Sequence, residues 1–217
     1  MGDQQNWDWE IGEKLVTDLD EWKKNYTDVY DEVVSPDGEK MGAIVKDEEG
    51  NLTCCVNGSP WEQTYEKVYS ALFSPDGRMV AITMADDVWT TLVDGVAWEQ
   101  TFEYVWNLQF SADAKVIAAQ VQGDGGYGLC VDGKTWAAGF LQIRDYVLTS
   151  DGAGVAATAQ VKDLAEGDIF EVLEGVWTVA VDGQAWDRNF VNVWGLAFSP
   201  DGKQVAAEVR LDNTTYT

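Results

Sequence analysis

The sequence predicts an all-β chain, a β-propeller of four-stranded antiparallel blades. Three observations predict it: five tryptophans at near-regular spacing, a turn aspartate repeating at the same spacing, and an Asx-Gly turn four residues before each later tryptophan. The tryptophans are Trp22, Trp61, Trp98, Trp136 and Trp186, separated by 39, 37, 38 and 50 residues. An aromatic follows each by four residues (Tyr26, Tyr65, Phe102, Phe140, Phe190) and a β-branched aliphatic by seven (Val29, Val68, Val105, Ile143, Val193). The aspartates Asp37, Asp76, Asp113, Asp151 and Asp201, in segments such as Ser74-Pro75-Asp76-Gly77 and Ser199-Pro200-Asp201-Gly202, reproduce the same four spacings. Two markers sharing one period identify a tandem repeat.

Each repeat reads as a meander. The pairs Asn57-Gly58, Asp94-Gly95, Asp132-Gly133 and Asp182-Gly183 are the preferred two-residue hairpin turns, because both central positions take positive φ. Between turns lie short β-type runs, which in the second repeat predict strands a to d at 68–73, 79–84, 88–93 and 96–102. One such sheet cannot bury both faces, whereas copies stacked about an axis can. The fifth residue after each turn aspartate is small (Gly42, Ala81, Ala118, Ala156, Ala206), which predicts close approach of neighbouring blades at one shared register. The organisation read from the repeat is an N-terminal segment, 1–21, with a partial strand c at 14–17, followed by repeats over 22–217. Residues 214–217 also fall at a strand c position, which points to part of a longer array.

Composition excludes several function classes. The 217 residues carry a net charge of −24, which opposes phosphate binding and so argues against nucleic acid and against anionic membrane surfaces. There is no histidine, which removes Ser-His-Asp and Cys-His pairs and histidine-ligated zinc or haem. The three cysteines, Cys54, Cys55 and Cys130, lack metal-ligand spacing and read as buried small apolar residues. No cofactor is expected. Gly123-Asp124-Gly125-Gly126-Tyr127-Gly128 has the letters of a dinucleotide fingerprint but no following helix, and reads as a hairpin loop. With no apolar run near 18 residues and no basic, apolar start, no membrane insertion or leader is expected, and a cytoplasmic protein is the simplest reading.

The segment 74–81, Ser-Pro-Asp-Gly-Arg-Met-Val-Ala, and its counterpart 199–206 resemble the WD40-like repeat of bacterial propellers of the TolB (PD40) type. The resemblance spans 22–217 and implies a fold, saying almost nothing of function; the Trp-Asp dipeptide of WD40 proteins is absent from the end of strand c, and the Gly-His pair is absent because the chain has no histidine. The motifs Trp61-Glu62-Gln63-Thr64-Tyr65 and Trp98-Glu99-Gln100-Thr101-Phe102 support a narrower resemblance. It is to the tryptophan-rich, WD40-like cytoplasmic subunit of a transmembrane electron-transfer complex (Tmc) of sulfate-reducing bacteria. That resemblance implies protein partners that are subunits of a membrane redox complex, with this chain as its cofactor-free part, peripheral to the inner membrane.

The candidate partner-binding residues are acidic and cluster in the b–c loops: Asp47, Glu48 and Glu49; Asp86 and Asp87; Asp124. The fourth repeat adds an insertion within 162–175 holding Asp163, Glu166, Asp168, Glu171 and Glu174. Long variable loops on a rigid scaffold are where binding concentrates, although solvated loops are acidic without binding anything. The leading expectation is a non-enzymatic interaction scaffold. The alternatives are a carboxylate-based hydrolase or lyase and a calcium- or small-ligand-binding propeller, since carboxylates are plentiful but in no EF-hand pattern.

Overall fold

The computed structural model describes residues 13–137, 139–163 and 175–212. Among these residues it is nearly all β, with one short helix, α1 (Leu19–Asn25). Four antiparallel four-stranded blades of the propeller type follow in chain order, each in strand order a-b-c-d. Blade 1 is β1 (Asp28–Val34), β2 (Met41–Lys46), β3 (Leu52–Val56) and β4 (Ser59–Pro60). Blade 2 is β5 (Lys67–Phe73), β6 (Met79–Ala85), β7 (Val88–Val93) and β8 (Val96–Ala97). Blade 3 is β9 (Tyr104–Phe110), β10 (Ile117–Gly123), β11 (Gly126–Val131) and β12 (Lys134–Thr135). Blade 4 is β13 (Gln142–Leu148), β14 (Val155–Gln160), β15 (Trp177–Val181) and β16 (Gln184–Ala185). Of blade 5, the described residues form strands a and b, β17 (Asn192–Phe198) and β18 (Val205–Arg210). The chain divides into two compact units, Met1–Trp98 with α1 and blades 1 and 2, and Glu99–Thr217 with blades 3 to 5.

The predicted strands of the second repeat match β5, β6 and β7, but strand d is shorter than 96–102. It pairs over two residues, leaves the sheet at the tryptophan and returns at the aromatic four residues on, through bridges such as Leu52↔Tyr65, Tyr127↔Phe140 and Trp177↔Phe190. The carbonyls freed by this detour need other donors. The hydroxyls of Thr53 and Thr178 donate to the carbonyls of Gln63 and Arg188 at 2.8 and 2.9 Å.

The N-terminal segment also differs from expectation. Residues 14–17 form no strand, and Trp22 lies on α1. Local chemistry explains the helix: the Asp18 carboxylate caps it by accepting from Asp20 N–H at 2.9 Å, with Asp20 and Glu21 in the first turn and Lys23 and Lys24 in the last, which complements the helix dipole. The ring is nonetheless buried, at 3% exposure, against Ala43, Val45 and Cys55.

The small-residue register needs correcting in blade 2. Ser74 Oγ accepts from the N–H four residues on, whereas the corresponding turns in the other blades span five. That a–b turn is one residue shorter, so Val80, opposite Val93, is the counterpart of Gly42, opposite Val56. Two columns of strand b result. Gly42, Val80, Ala118 and Ala156 pair with the valine before the Asx-Gly turn, and Ala43, Ala81, Ala119 and Ala157 pair with Cys55, Leu92, Cys130 and Ala180. Within a unit the first column faces the following blade: a Cβ on Gly42 would lie 2.8 Å from Met79 Sδ and 3.2 Å from Phe73. In unit two, Ala118 packs with Tyr146 and Val155 of blade 4, and Ala156 with Val193 and Val209 of blade 5. Within a unit the second column faces the preceding element, as Ala43 does against Trp22, Ala81 against blade 1 and Ala157 against blade 3.

Every strand a described carries a β-bulge two residues past its marker aliphatic, which is half-buried at Val29 and buried in the other four. In four blades the bulged residue has positive φ: Asp31 (54°), Ser70 (54°), Asn107 (51°) and Gly195 (59°). Short polar residues and glycine tolerate that region best.

Candidate functional site: the b–c loops

The two ends of each sheet differ in chemistry. The a–b and c–d turns share one end and are satisfied internally. In the a–b turns, Ser35, Ser74, Ser111, Thr149 and Ser199 donate to Asp37, Asp76, Asp113, Asp151 and Asp201. All five carboxyls are held below the usual value of 3.8. At Asp37, Asp113, Asp151 and Asp201 the hydroxyl is the chief cause and a backbone N–H the next. At Asp76 desolvation acts upward and is outweighed by Ser74 and Arg78. In the c–d turns the Asx side chain accepts from the first N–H of strand b: Asn57 from Met41 (2.8 Å), and Asp94, Asp132 and Asp182 from Met79, Ile117 and Val155 (2.9 Å each). The Asx residue therefore ties the two turns together besides adopting positive φ, a role the dipeptide alone does not reveal.

These turns also align the blades within each unit. In the first, Lys40 Nζ donates to Gly77 O at 2.8 Å, joining the a–b turns of blades 1 and 2. In the second, Asp113 N–H donates to Ser150 O at 3.0 Å, and a Cβ on Gly202 would meet Thr149 Cγ2 at 3.2 Å. The b–c loops of each unit consequently emerge together at its opposite end.

At that end the expected site residues separate into two kinds. Asp47 builds its own loop, accepting from Asn51 N–H at 2.8 Å and from Asn51 Nδ2 at 3.1 Å. Desolvation acts upward on it, and the hydrogen bonds from Asn51 together with those from the Glu49 and Gly50 backbone outweigh it and lower its pKa. Asp86 and Asp87 form a two-residue turn with φ of 51° and 62°, and Asp86 N–H donates to Glu66 Oε1 at 3.0 Å. Glu48, Asp87, Asp124 and Asp163 are exposed, and their side chains hold no hydrogen bond or ion pair among the described residues. Glu49 is exposed beside Asn51, at 3.5 Å. Glu166, Asp168, Glu171 and Glu174 lie outside the described residues. The base of the insertion is pinned by Val161 N–H to Val176 O at 2.9 Å. Among the described residues no group of three or more Cys, Asp or Glu is arranged to hold one metal ion.

Beside these loops runs a row that sequence reading missed. In blades 2, 3 and 4 the residue before the bulge meets a ring near the start of strand c: Tyr69 packs edge-on to Trp89 with centroids 5.1 Å apart, Trp106 to Tyr127 at 5.9 Å, and the Arg144 guanidinium lies 3.5 Å over the Trp177 ring. Arg144 Nη1 also donates to Asn192 Oδ1 of blade 5 at 2.7 Å, and Gln120 Nε2 donates across to Arg144 O at 2.7 Å. The signal was available in the spacing, since each partner stands one residue after the marker aliphatic or six before the turn glycine. These groups stiffen the sheet ends beneath the acidic tips. The cysteines are fully buried, and burial pushes the thiols up to about 12 for Cys54 and about 11 for Cys55 and Cys130.

No family model matches the chain, and no curated protein matches it. Solved structures similar to it include TolB from Acinetobacter baumannii, at 12% identity and a TM-score of 0.40, covering 87% of this chain and 53% of that one. The β-propeller domain of the Trilobed protease from Pyrococcus furiosus is similar at 11% identity and a TM-score of 0.44, covering 87% of this chain and 70% of that one. Hydrazine synthase from Kuenenia stuttgartiensis is similar at 17% identity and a TM-score of 0.35, covering 82% and 60%. The chain thus spans about half the length of the TolB structure. No helix among the described residues is long and apolar enough to cross a membrane.

Proposed function

We propose that the chain is a non-enzymatic protein-interaction scaffold that meets a basic partner through its b–c loops. The observation that carries this reading is the contrast between the two ends of each sheet. Turn-end carboxylates are consumed in hydrogen bonds, whereas Glu48, Asp87, Asp124 and Asp163 are exposed and uncommitted among the described residues. A net charge of −24 steers a basic surface toward such tips. The narrower resemblance extends the proposal: the partner is a subunit of a membrane-bound electron-transfer complex, and this chain is its cofactor-free peripheral part on the cytoplasmic side.

Deleting 163–174 and pulling the tagged chain from native membranes tests this. The chain stays folded, because the Val161–Val176 hydrogen bond closes the base without the insertion and loop length alters closure entropy slowly. Partner recovery falls. A folded deletion variant that still co-purifies fully would exclude the insertion as the contact.

A further inference from the structure

Blades 2, 3 and 4 place an aromatic residue at one shared register of strand c. Trp89, Tyr127 and Trp177 pair with Met84, Gln122 and Gln160 of strand b. Those three pair in turn with Lys67, Tyr104 and Gln142, the first residues of strand a. In blades 2 and 4 a cation of the same blade lies over the ring. Lys67 Nζ is 5.7 Å from the Trp89 ring centroid, and the Arg144 guanidinium is 3.5 Å from that of Trp177. Beneath their cations these two rings are buried, at 8% and 5% exposure.

Blade 3 carries rings at both cation positions. Tyr104 stands at the register of Lys67, and Trp106 at that of Arg144, each of the latter two residues further along strand a. Tyr104, Trp106 and Tyr127 form a cluster with successive centroids 5.6 and 5.9 Å apart and interplanar angles of 32° and 79°. Tyr104 is 44% exposed, and Trp106 and Tyr127 are half-buried. The 14 lysines and arginines of the chain all stand among the described residues. None of them lies over the Trp106 or Tyr127 ring. Two exposed carboxylates stand at the same end of this sheet. Asp124 is in the b–c loop, and Glu103 directly precedes Tyr104, its N–H donating to Gln122 O at 2.9 Å.

We propose that this cluster seats an arginine side chain of the basic partner, its guanidinium against the Trp106 and Tyr127 rings and its charge met by Asp124 and Glu103. The proposal rests on the basic-partner reading above and adds a specific contact to it. A ring face attracts a cation through its quadrupole, and neighbouring carboxylates favour the same sign of charge. Arginine suits the seat better than lysine, because its planar, weakly hydrated guanidinium stacks on a ring. The chain's own pairs agree, with Arg144 closer to its ring than Lys67 is.

The test is calorimetric titration of the whole chain with two synthetic peptides of equal length and charge, hexa-arginine and hexa-lysine. Hexa-arginine is expected to bind about threefold more tightly or better. Tyr127→Leu should bring the two affinities together. Trp106→Arg should do the same, because it supplies the blade with its own guanidinium where Arg144 stands in blade 4. The ratio of the two affinities is insensitive to the charge this substitution adds, and the arginine variant keeps the test valid if the leucine variant unfolds. Glu48→Gln combined with Asp87→Asn should weaken both peptides alike and leave the ratio unchanged. Equal affinities in the wild-type chain, or a preference for arginine that survives both Tyr127→Leu and Trp106→Arg, would overturn the seat. The acidic-loop reading would then stand or fall on the loop variant alone.

Discussion

At the scale of single residues, most sequence markers do two jobs. Gly95 permits positive φ, here +83°, and leaves room for the Trp61 ring. Gly95→Val is therefore expected to destabilise the chain by about 1–3 kcal/mol, read as a lower denaturation midpoint; an unchanged midpoint would mean that the turn carries no strain. The thiols, raised by burial to about 11–12, should resist alkylation at pH 8 in the folded chain and react only on unfolding. Modification of the native protein at the rate of a free thiol would contradict their burial. The five turn aspartates give a signed pH dependence. Their folded values lie below 3.8, so their stabilisation is complete above that value and disappears as pH falls through the lowered folded ones. At physiological ionic strength, where self-repulsion is screened, the melting temperature should decline below about pH 4. A rise there would show that relief of net charge dominates.

At the scale of elements, strands a, b and c were legible because each lies between turns whose chemistry names them. Strand d was legible only at its start. Its apolar and aromatic residues look continuous, and nothing local reveals that the chain leaves the ladder just past the tryptophan, whose N–H still donates to strand c. α1 was missed for a related reason: Trp22 and Asp18 fit the repeat spacing, but Asp18 caps a helix instead of forming a turn. The small-residue column slipped by one in blade 2 because the marker was counted from the aspartate, and that turn is a residue shorter. The bulges were written in Asp31, Ser70, Asn107 and Gly195, residue types that read as ordinary polar positions until φ is known. The interior is sensitive to the corrected register. Gly42→Leu should destabilise by about 1–3 kcal/mol, because the added side chain meets Met79 and Phe73 and forces them aside. Thermal unfolding checks this, and an unchanged melting temperature would show slack between blades 1 and 2.

For the whole molecule, the repeat accounts for the blades, and the charge accounts for what the blades display. The candidate site was only partly legible. The described acidic tips stand in the b–c loops where the spacing put them, but spacing could not separate Asp47, which holds its own loop through Asn51, from Glu48, which holds nothing among the described residues. That separation makes the central claim testable without damage to the fold. A variant carrying Glu48→Gln, Glu49→Gln, Asp87→Asn, Asp124→Asn and Asp163→Asn removes charge from exposed groups and spares Asp47 and every aspartate of the a–b and c–d turns. Partner recovered on the tagged chain is then compared with wild type at low and high salt, with the melting temperature as control. The scaffold reading predicts an unchanged melting temperature, reduced recovery at low salt and a flatter salt dependence, because fewer charges steer association. Full recovery by a folded variant, with the same salt dependence as wild type, would contradict it.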